Sequence, residues 1–157
     1  LQEIEELPEQ QKIDLSALLL EACEQFETVA KTHRKKLDWD LQENLVVFGD
    51  EAMLERVLSI LLDNAVKYAD DGTKISAVLK KNGKYVVLEV RNYAACMKKG
   101  KHMDLFERFY RADSSHNSTT GGHGIGLSNA QAIVELHKGK ITAYSPADGQ
   151  ICFQIRL

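Results

Sequence analysis

The stretch Gly121-Gly122-His123-Gly124-Ile125-Gly126-Leu127 separates a polar segment from an apolar-periodic helix that ends near His137. Glycines at the start of a helix let the backbone approach a ligand closely. The free N–H groups and the dipole there favour an anion such as phosphate. A glycine-rich turn before a helix is more often only a turn, so this stretch does not define a site alone. It gains weight from polar residues on an earlier helix and from an aromatic and basic run at 106–111.

Length and composition narrow the class of protein. A chain of 157 residues is long enough for one domain with a sizeable core. Its net charge of −3 gives no electrostatic reason to expect nucleic-acid binding. Cys23, Cys96 and Cys152 are far apart, with neither metal-ligand spacing nor a disulfide framework, and this indicates a reducing compartment. The sequence shows no signal peptide and no apolar run near the roughly 20 residues that a spanning helix needs.

Periodicity predicts three helices and about five or six strands. The helices cover residues 15–30, with Asp14 as N-cap, the stretch after Gly49-Asp50, and residues 124–137, closed by Gly139. The dipeptides Asn82-Gly83 and Asp148-Gly149 each predict a hairpin. The predicted strands are 37–41, 45–48, 74–81, 84–92, 140–145 and 150–157. Because helices and strands are segregated, one sheet with helices stacked on one face is the economical arrangement.

The middle helix carries two different faces. Its apolar face consists of Leu54, Leu58, Leu61 and Ala65. A second face, at spacings i, i+4, i+7 and i+8, consists of Ile60, Asn64, Lys67 and Tyr68. An amide oxygen can bind Mg²⁺, an ammonium can neutralise a phosphate, and a ring can lie against a base. A solvated helix end is an equally open interpretation of the second face alone.

Three motifs, in the same order as in a known family, carry a resemblance. Residues 61–68, Leu-Leu-Asp-Asn-Ala-Val-Lys-Tyr, resemble the asparagine box of sensor histidine kinases. Residues 105–113, Leu-Phe-Glu-Arg-Phe-Tyr-Arg-Ala-Asp, resemble their phenylalanine box. Residues 122–127 and the helix behind them resemble their second glycine box. The likeness extends from about Lys12 to the C-terminus.

The resemblance implies a Bergerat-type two-layer α/β sandwich, a mixed and mostly antiparallel sheet of about five strands with three helices on one face. Residues 13–157 would be the ATP-binding catalytic domain, with a lid at about 93–122 that we expect to be mobile without nucleotide between 98 and 121. Residues 1–12, acidic at first, would be the tail of a preceding dimerisation helix or a linker. The domain would take ATP and Mg²⁺ and transfer the γ-phosphoryl group to a histidine on a separate dimerisation domain.

The same resemblance implies partners and a location. The partners would be the histidine-bearing dimerisation domain of the same protein and a response regulator of a bacterial two-component system. The full-length protein would be a homodimer, and this part of it would contact neither nucleic acid nor membrane. It would be the cytoplasmic domain of a membrane-anchored receptor. We do not expect this part of the chain to phosphorylate itself alone.

The family's site residues map onto this sequence motif by motif. The resemblance makes Asn64 the Mg²⁺ ligand, Lys67 a phosphate contact and Tyr68 a base-stacking residue. The resemblance implies that Arg108 and Arg111 approach the terminal phosphate or the acceptor helix, although both could be solvated charges. These two arginines with Asn64 and Lys67 would be the catalytic set. The ATP-binding set comprises Asn64, Lys67, Tyr68, Asn92, Met97, Phe109, Tyr110, Gly122, His123, Gly124, Ile125, Gly126 and Leu127.

Several of these residues have a structural alternative. For Phe106 and Phe109, packing beneath the lid is a better expectation than direct ligand contact. Gly124 and Gly126 would bring backbone N–H groups to the phosphates, whereas Gly121 could be only a hinge.

The first glycine box departs from the family's D-x-G-x-G-I. This chain has Asn92-Tyr93-Ala94-Ala95-Cys96-Met97 there, so an amide replaces the carboxylate and both glycines are lost. An amide oxygen can still accept from the adenine amino group, but without charge assistance, which predicts binding weaker by about 1–2 kcal/mol. Loss of both glycines limits the backbone angles of the turn. Asn92 could alternatively do no more than cap the end of the strand.

Two further departures leave the function open. Ile60 occupies a position where related ATPases have a glutamate that activates water, so hydrolysis should be poor, or the enzyme is crippled. None of His33, His102, His116, His123 and His137 lies in the family's acceptor context, so the acceptor is expected elsewhere. The alternatives are a pseudokinase or scaffold of the same fold with weakened or lost nucleotide binding, and a related ATPase or serine kinase.

Overall fold

Three helices pack on a sheet in the computed structural model, which describes residues 10–107 and 126–157. They are α1 (Leu15–Thr32), α2 (Glu51–Tyr68) and α3 (Gly126–Leu136). Asp14 caps α1 as predicted, and Asp50, at the predicted start of the second helix, caps α2. Asp14 Oδ1 accepts from the Ala17 N–H at 3.0 Å, and Asp50 Oδ1 accepts from the Met53 N–H at 2.9 Å. No helix within the described part of the chain is long and apolar enough to cross a membrane.

The main sheet has six strands in the order β2-β4-β5-β8-β7-β6. Only the β2–β4 pair is parallel, so the sheet is mixed and mostly antiparallel as predicted. The strands are β2 (Lys36–Leu41), β4 (Lys74–Asn82), β5 (Tyr85–Tyr93), β6 (Gly100–Lys101), β7 (Lys140–Ser145) and β8 (Gln150–Arg156).

A separate antiparallel pair consists of β1 (Gln11–Asp14) and β3 (Val46–Gly49). The expectation of about five strands was therefore too low. It missed β1, which buries only Ile13, and β6, which has two exposed residues, because neither carries an alternating apolar pattern. Strand β1 also includes Gln11 and Lys12, which we had assigned to the preceding tail.

The core lies between the helices and the inner face of the sheet. Alternate residues of β4 and β5, such as Ile75, Ala77, Leu88 and Val90, are buried. They belong to one apolar cluster with α2, whose members there are Val57, Leu58, Leu61, Leu62, Ala65 and Val66. This packing commits one face of α2 to the core, and the predicted site residues Asn64, Lys67 and Tyr68 lie half-buried beside that face.

The first hairpin is confirmed, but its turn is shifted by one residue. Asn82 still pairs with Tyr85, so the two-residue turn is Gly83-Lys84. Gly83 has φ +62, and a glycine with positive φ at the first central position is typical of a tight hairpin turn.

The end of α3 also differs in detail from the prediction. Lys138, with φ +60, takes the left-handed conformation that we had assigned to Gly139. Gly139 is needed for space instead, because a Cβ there would lie 2.6 Å from the Arg156 carbonyl oxygen.

The segment predicted as a lid begins in packed structure. Between residues 93 and 107 it forms β6 and a 3₁₀ helix, Met103–Phe106, in which Leu105 and Phe106 are buried. The Phe106 ring makes an edge contact with Phe153 at 6.0 Å between centroids, which confirms its predicted packing role. From residue 108 to 122 the predicted lid lies outside the described residues, and its role as a lid stays a prediction.

Candidate nucleotide-binding site

Helix α2 presents the two faces that its sequence predicts. Ile60, Asn64, Lys67 and Tyr68 are half-buried, whereas Leu54, Leu58, Leu61 and Ala65 are all buried, with Leu61 at 0% exposure. The half-buried positions are accessible to a ligand without any change in the core. The helix therefore carries an amide, an ammonium and a phenol on a stripe that the core does not use.

The Lys67 ammonium lies 3.0 Å from the Asp63 carboxylate one turn earlier. The two side chains are 30% and 47% exposed, so this pair contributes little to stability. Asp63 balances the charge of Lys67 while leaving the ammonium accessible. A phosphate arriving at this face could share Lys67 with Asp63 or replace it.

The start of α3 lies against the middle of α2. A Cβ added to Gly126 would lie 3.7 Å from Ile60 Cγ2, which is an ordinary contact. Packing among the described residues therefore does not require a glycine at position 126. A ligand that approaches the backbone closely would explain why a glycine is present. Leu127, the next residue, packs partly against the core. The first described turn of α3 thus lies beside Ile60, one helical turn before Asn64 on α2.

Asn92 has a buried polar atom without a partner among the described residues. It lies at the end of β5, is 1% exposed, and its Nδ2 donates to the Tyr93 carbonyl at 3.2 Å. Its Oδ1 is buried and has no hydrogen-bond partner within residues 10–107 and 126–157. A buried acceptor left unpaired costs about 1–3 kcal/mol. A ligand N–H donor, such as the amino group of adenine, would remove that cost.

The orientation of this amide follows from its neighbour. The Tyr93 carbonyl can only accept, so the group facing it must be Nδ2. Rotating the amide would place two acceptors against each other. The Nδ2 contact is the one expected of a residue that caps the end of the strand, and it leaves Oδ1 as a buried acceptor; a role in binding a base stays a prediction.

The turn that replaces the family's first glycine box is not strained. Among the described residues other than glycine, positive φ angles occur only at Arg34, Asn44 and Lys138, so Ala94 and Cys96 have ordinary φ angles. The Met97 N–H donates to the Ala94 carbonyl at 3.0 Å, and its side chain packs partly against the core. The turn thus reaches its path without the conformations that only glycine adopts easily.

Two hydrogen bonds join this turn to the β7–β8 hairpin. The Ala94 N–H donates to the Gly149 carbonyl at 2.9 Å, and the Gly149 N–H donates to the Met97 carbonyl at 2.7 Å.

Sequence reasoning missed two residues that hold the end of α2. Asp70 accepts from the Ala95 N–H at 2.9 Å, which joins the end of α2 to the altered turn. Lys35 is buried, and its ammonium donates to the Val66 carbonyl at 2.6 Å. Burial lowers the pKa of this lysine, while Asp71 and Asp70 act in the opposite direction. Both contacts span more than twenty residues, so no local pattern could have revealed them.

His137 caps the end of α3. Its Nδ1 lies 2.8 Å from the Ile133 carbonyl, which requires Nδ1–H to donate. Its Nε2 then accepts from the Asp50 N–H at 3.1 Å, so the end of α3 is tied to the N-cap of α2. A Cβ at Gly49 would lie 2.2 Å from this ring, which explains the glycine there.

Several predicted site residues lie outside the described residues, and their roles stay predictions. These are Arg108, Phe109, Tyr110, Arg111, Gly122, His123, Gly124 and Ile125. Of the described set, α2 brings together Asn64, Lys67 and Tyr68, α3 begins beside Ile60, and β5 supplies Asn92. No group of three His, Cys, Asp or Glu side chains within the described ranges could hold a metal. An Mg²⁺ ion held by one amide oxygen and by phosphate oxygens needs no such group.

Comparison with known proteins decides the family. Residues 49–157, more than half of the chain, match the family described as histidine kinase-, DNA gyrase B-, and HSP90-like ATPase. The chain belongs to this ATPase family. The match begins at Gly49, just before α2, and includes β5 and α3, so it covers every element of the candidate site.

Within this ATPase family, the chain is similar to sensor proteins and histidine kinases. The chain is 35% identical over 146 residues to the sensor protein DltS of Streptococcus agalactiae, covering 93% of this chain and 36% of DltS. It is 35% identical over 138 residues to the signal transduction histidine-protein kinase BaeS of Escherichia coli, covering 87% and 30%. The chain thus spans about a third of the length of these curated relatives.

A solved structure shows the same fold. The nucleotide-free catalytic domain of histidine kinase ThkA superposes with a TM-score of 0.79 at 23% identity, and the match covers 95% of both chains. Together with the family match and the named relatives, this identifies the chain as an ATP-binding catalytic domain of the sensor histidine kinase type.

Proposed function

We propose that this domain binds ATP with Mg²⁺ and delivers the γ-phosphoryl group to a histidine on a separate dimerisation domain of the same protein. The single observation that carries the proposal is the buried, unpaired Oδ1 of Asn92 at the end of β5. It supports a site that still recognises a base, although the family's aspartate and both glycines are absent.

Each described residue has a defined task in this proposal. The Asn64 oxygen would hold Mg²⁺, which neutralises charge on the phosphates when bound. Lys67 would contact a phosphate, Tyr68 would lie against the base, and the first N–H groups of α3 at Gly126 would face the anion. Met97 and Leu127 would contribute apolar surface. For Arg108 and Arg111 we keep the assignment to the terminal phosphate or the acceptor helix.

Ile60 supports transfer to a protein acceptor rather than hydrolysis. Its side chain is half-buried and lies beside Gly126, at the position where a water-activating carboxylate would be needed for an ATPase. A hydrocarbon side chain cannot accept a proton from water. Phosphoryl transfer then depends mainly on positioning and charge neutralisation, for which the site offers groups on α2 and α3.

The partners follow from the same proposal. The phosphorylated histidine would pass its phosphoryl group to a response regulator, and the full-length protein would act as a homodimer. We place the domain in the cytoplasm, a location supported by its three free cysteines.

The test uses ATP labelled in its γ-phosphoryl group, with this domain alone and with the full-length protein that contains it. We expect no label on the isolated domain, slow phosphate release, and acid-labile label on the full-length protein. Asn64→Ala in the full-length protein should abolish labelling. Asp40→Asn, which changes an exposed residue of β2 paired with Lys80, should leave it intact.

Two outcomes would contradict the proposal. Rapid phosphate release by the isolated domain would indicate an ATPase instead. No label on full-length protein that does bind ATP would indicate a scaffold of the same fold.

A further inference from the structure

One residue joins the end of α2 to the turn that follows β5, residues 93–99. The N–H of Asp70 donates to the Tyr93 carbonyl at 2.9 Å, and its Oδ2 accepts from the Ala95 N–H at 2.9 Å. Asp70 is exposed and is not a member of the apolar core. The carboxylate of Asp70 therefore restrains the 93–99 turn, and its charge also acts to raise the pKa of Lys35.

The carbonyl that Asp70 holds also sets the orientation of Asn92. The Tyr93 oxygen receives the Asp70 N–H and, at 3.2 Å, the Nδ2 of Asn92. Because Nδ2 is committed to this carbonyl, Oδ1 is left as the buried, unpaired acceptor. A displacement of the Tyr93–Ala95 backbone would move the anchor of the amide and so redirect its oxygen.

The far side of the 93–99 turn is held by a different element. The Lys99 N–H donates to Asp148 Oδ1 at 2.8 Å, and Gly149 exchanges backbone hydrogen bonds with Ala94 and Met97. These contacts tie the turn to the β7–β8 hairpin. Those of Asp70 tie it to α2, the helix that carries Asn64, Lys67 and Tyr68.

We propose that Asp70 is a positioning residue that fixes the 93–99 turn against α2, so that the Asn92 oxygen meets the 6-amino group of a purine while the phosphates lie on α2. The inference rests on the proposed nucleotide-binding role of Asn92. The aspartate contact adds a restraint from α2 to those that the β7–β8 hairpin places on the turn.

The measurable consequence is base discrimination. Inosine triphosphate has the same ribose and phosphates as ATP but carries a 6-oxo group, an acceptor, in place of the amino donor. Opposite the Asn92 oxygen it would set two acceptors face to face. The ratio of the dissociation constants for inosine triphosphate and ATP therefore reports on contacts at position 6 and the adjacent N1 of the purine, whereas a general loss of stability would weaken both nucleotides together.

The experiment is a calorimetric titration of four proteins with ATP and with inosine triphosphate, both with Mg²⁺. The native domain should prefer ATP. Asp70→Ala should weaken ATP binding about fivefold, the size of one hydrogen bond, with less than a twofold change for inosine triphosphate. Asp70→Asn keeps an oxygen that can accept from the Ala95 N–H, so its ratio should stay within about twofold of native.

The matched control is Asp71→Ala. Asp71 neighbours Asp70 and is exposed, but its carboxylate pairs with Arg34 at 2.6 Å. Its removal should leave the ratio unchanged. If Asp70→Ala does not fold, Asp70→Glu takes its place. This variant keeps the charge but moves the carboxylate by one methylene. The ratio of the dissociation constants for inosine triphosphate and ATP should fall, as in Asp70→Ala.

The outcomes separate this inference from the proposed function. A native domain that binds no ATP at millimolar concentration overturns both. A native domain that binds ATP but does not prefer it overturns the Asn92 contact and this inference with it. A clear ATP preference that survives unchanged in the Asp70 variant overturns the positioning role only, as does equal weakening of both nucleotides.

Discussion

The two faces of α2 differ in what they do for the molecule. The face with Leu58 and Leu61 is buried and belongs to an apolar cluster that also includes residues of the sheet, and Leu54 on the same face is buried as well. The face with Asn64 and Lys67 is half-buried, and the ion pair between Lys67 and Asp63 is partly exposed and weak. One helix therefore supports the fold with one side and offers a ligand site with the other.

Because the two faces of α2 have different roles, mutations should change the stability of the fold and the binding of nucleotide separately. Burial of apolar side chains stabilises the fold, while half-exposed polar groups add little to it. Substitutions on the buried face should change the free energy of unfolding. Substitutions on the other face should change the affinity for nucleotide and leave the free energy of unfolding almost unchanged.

The largest effect is expected on the buried face. Leu61 is fully buried, so Leu61→Ala leaves a cavity and should lower the free energy of unfolding by about 3 kcal/mol. Chemical denaturation followed by circular dichroism measures it. The control is Leu20→Ala on α1, where the leucine is 40% exposed and the loss should stay below about 1 kcal/mol. Equal losses in both variants would refute the assignment of Leu61 to the core.

The opposite pattern is expected for Asn64→Ala. Alanine favours a helix more than asparagine, so the free energy of unfolding should stay the same or rise by up to about 0.5 kcal/mol. The affinity for Mg²⁺ with an ATP analogue should fall at least about tenfold, because the metal loses its amide ligand. Calorimetric titration measures the affinity. Identical heats from native and variant protein would remove Asn64 from the site.

A smaller effect is expected at the Lys67–Asp63 pair. Lys67→Met should weaken binding about threefold to tenfold, and the difference should shrink as salt is added, because the lost contact is electrostatic. Asp63→Asn frees the ammonium from its partner and should leave binding unchanged or tighten it. Weaker binding in Asp63→Asn would instead assign a direct ligand role to Asp63. Titrations at low and high salt distinguish the two.

Thiol labelling compares buried and exposed residues without changing the sequence, and it should perturb the fold least. Burial raises the pKa of Cys23 to about 12 and also raises that of Cys152, whereas Cys96 is exposed in the 93–99 turn. The thiolate is the reactive form, so both buried thiols stay protonated and unreactive at pH 8.

Mass spectrometry of native protein treated with iodoacetamide at pH 8 should show one label, at Cys96. Protein unfolded in denaturant should take three. Labelling of Cys23 in the native protein would show that the core opens more readily than its burial indicates.

The sequence predicted those parts of the structure that depend on local patterns. The spacing of leucines in α2 defined both faces, and Asp14 and Asp50 marked the helix starts, because N-caps and periodicity are encoded within a few residues. The family boxes then indicated what the half-buried face is for. The relatives and the family match confirm an ATP-binding catalytic domain, whereas the role of this face stays a prediction.

What the sequence could not predict depends on distant contacts or on very short elements. Strand β1 buries one side chain and β6 none, so neither leaves an alternating pattern. The Asp70–Ala95 contact joins residues twenty-five positions apart, and the unpaired oxygen of Asn92 arises only when β5 is placed in the sheet. The altered turn seemed to endanger the site, yet its alanine and cysteine adopt ordinary φ angles.

In the proposed complex, ATP lies between the half-buried face of α2 and the start of α3, with its base against Asn92. Backbone amide chemical shifts of the isotope-labelled domain, followed during titration with Mg²⁺ and a non-hydrolysable ATP analogue, test it most directly. We predict saturable changes concentrated at Asn64, Lys67, Asn92 and Gly126, with small changes at Cys152 in β8. Changes confined to the β8 region, or none at millimolar nucleotide, would contradict the account.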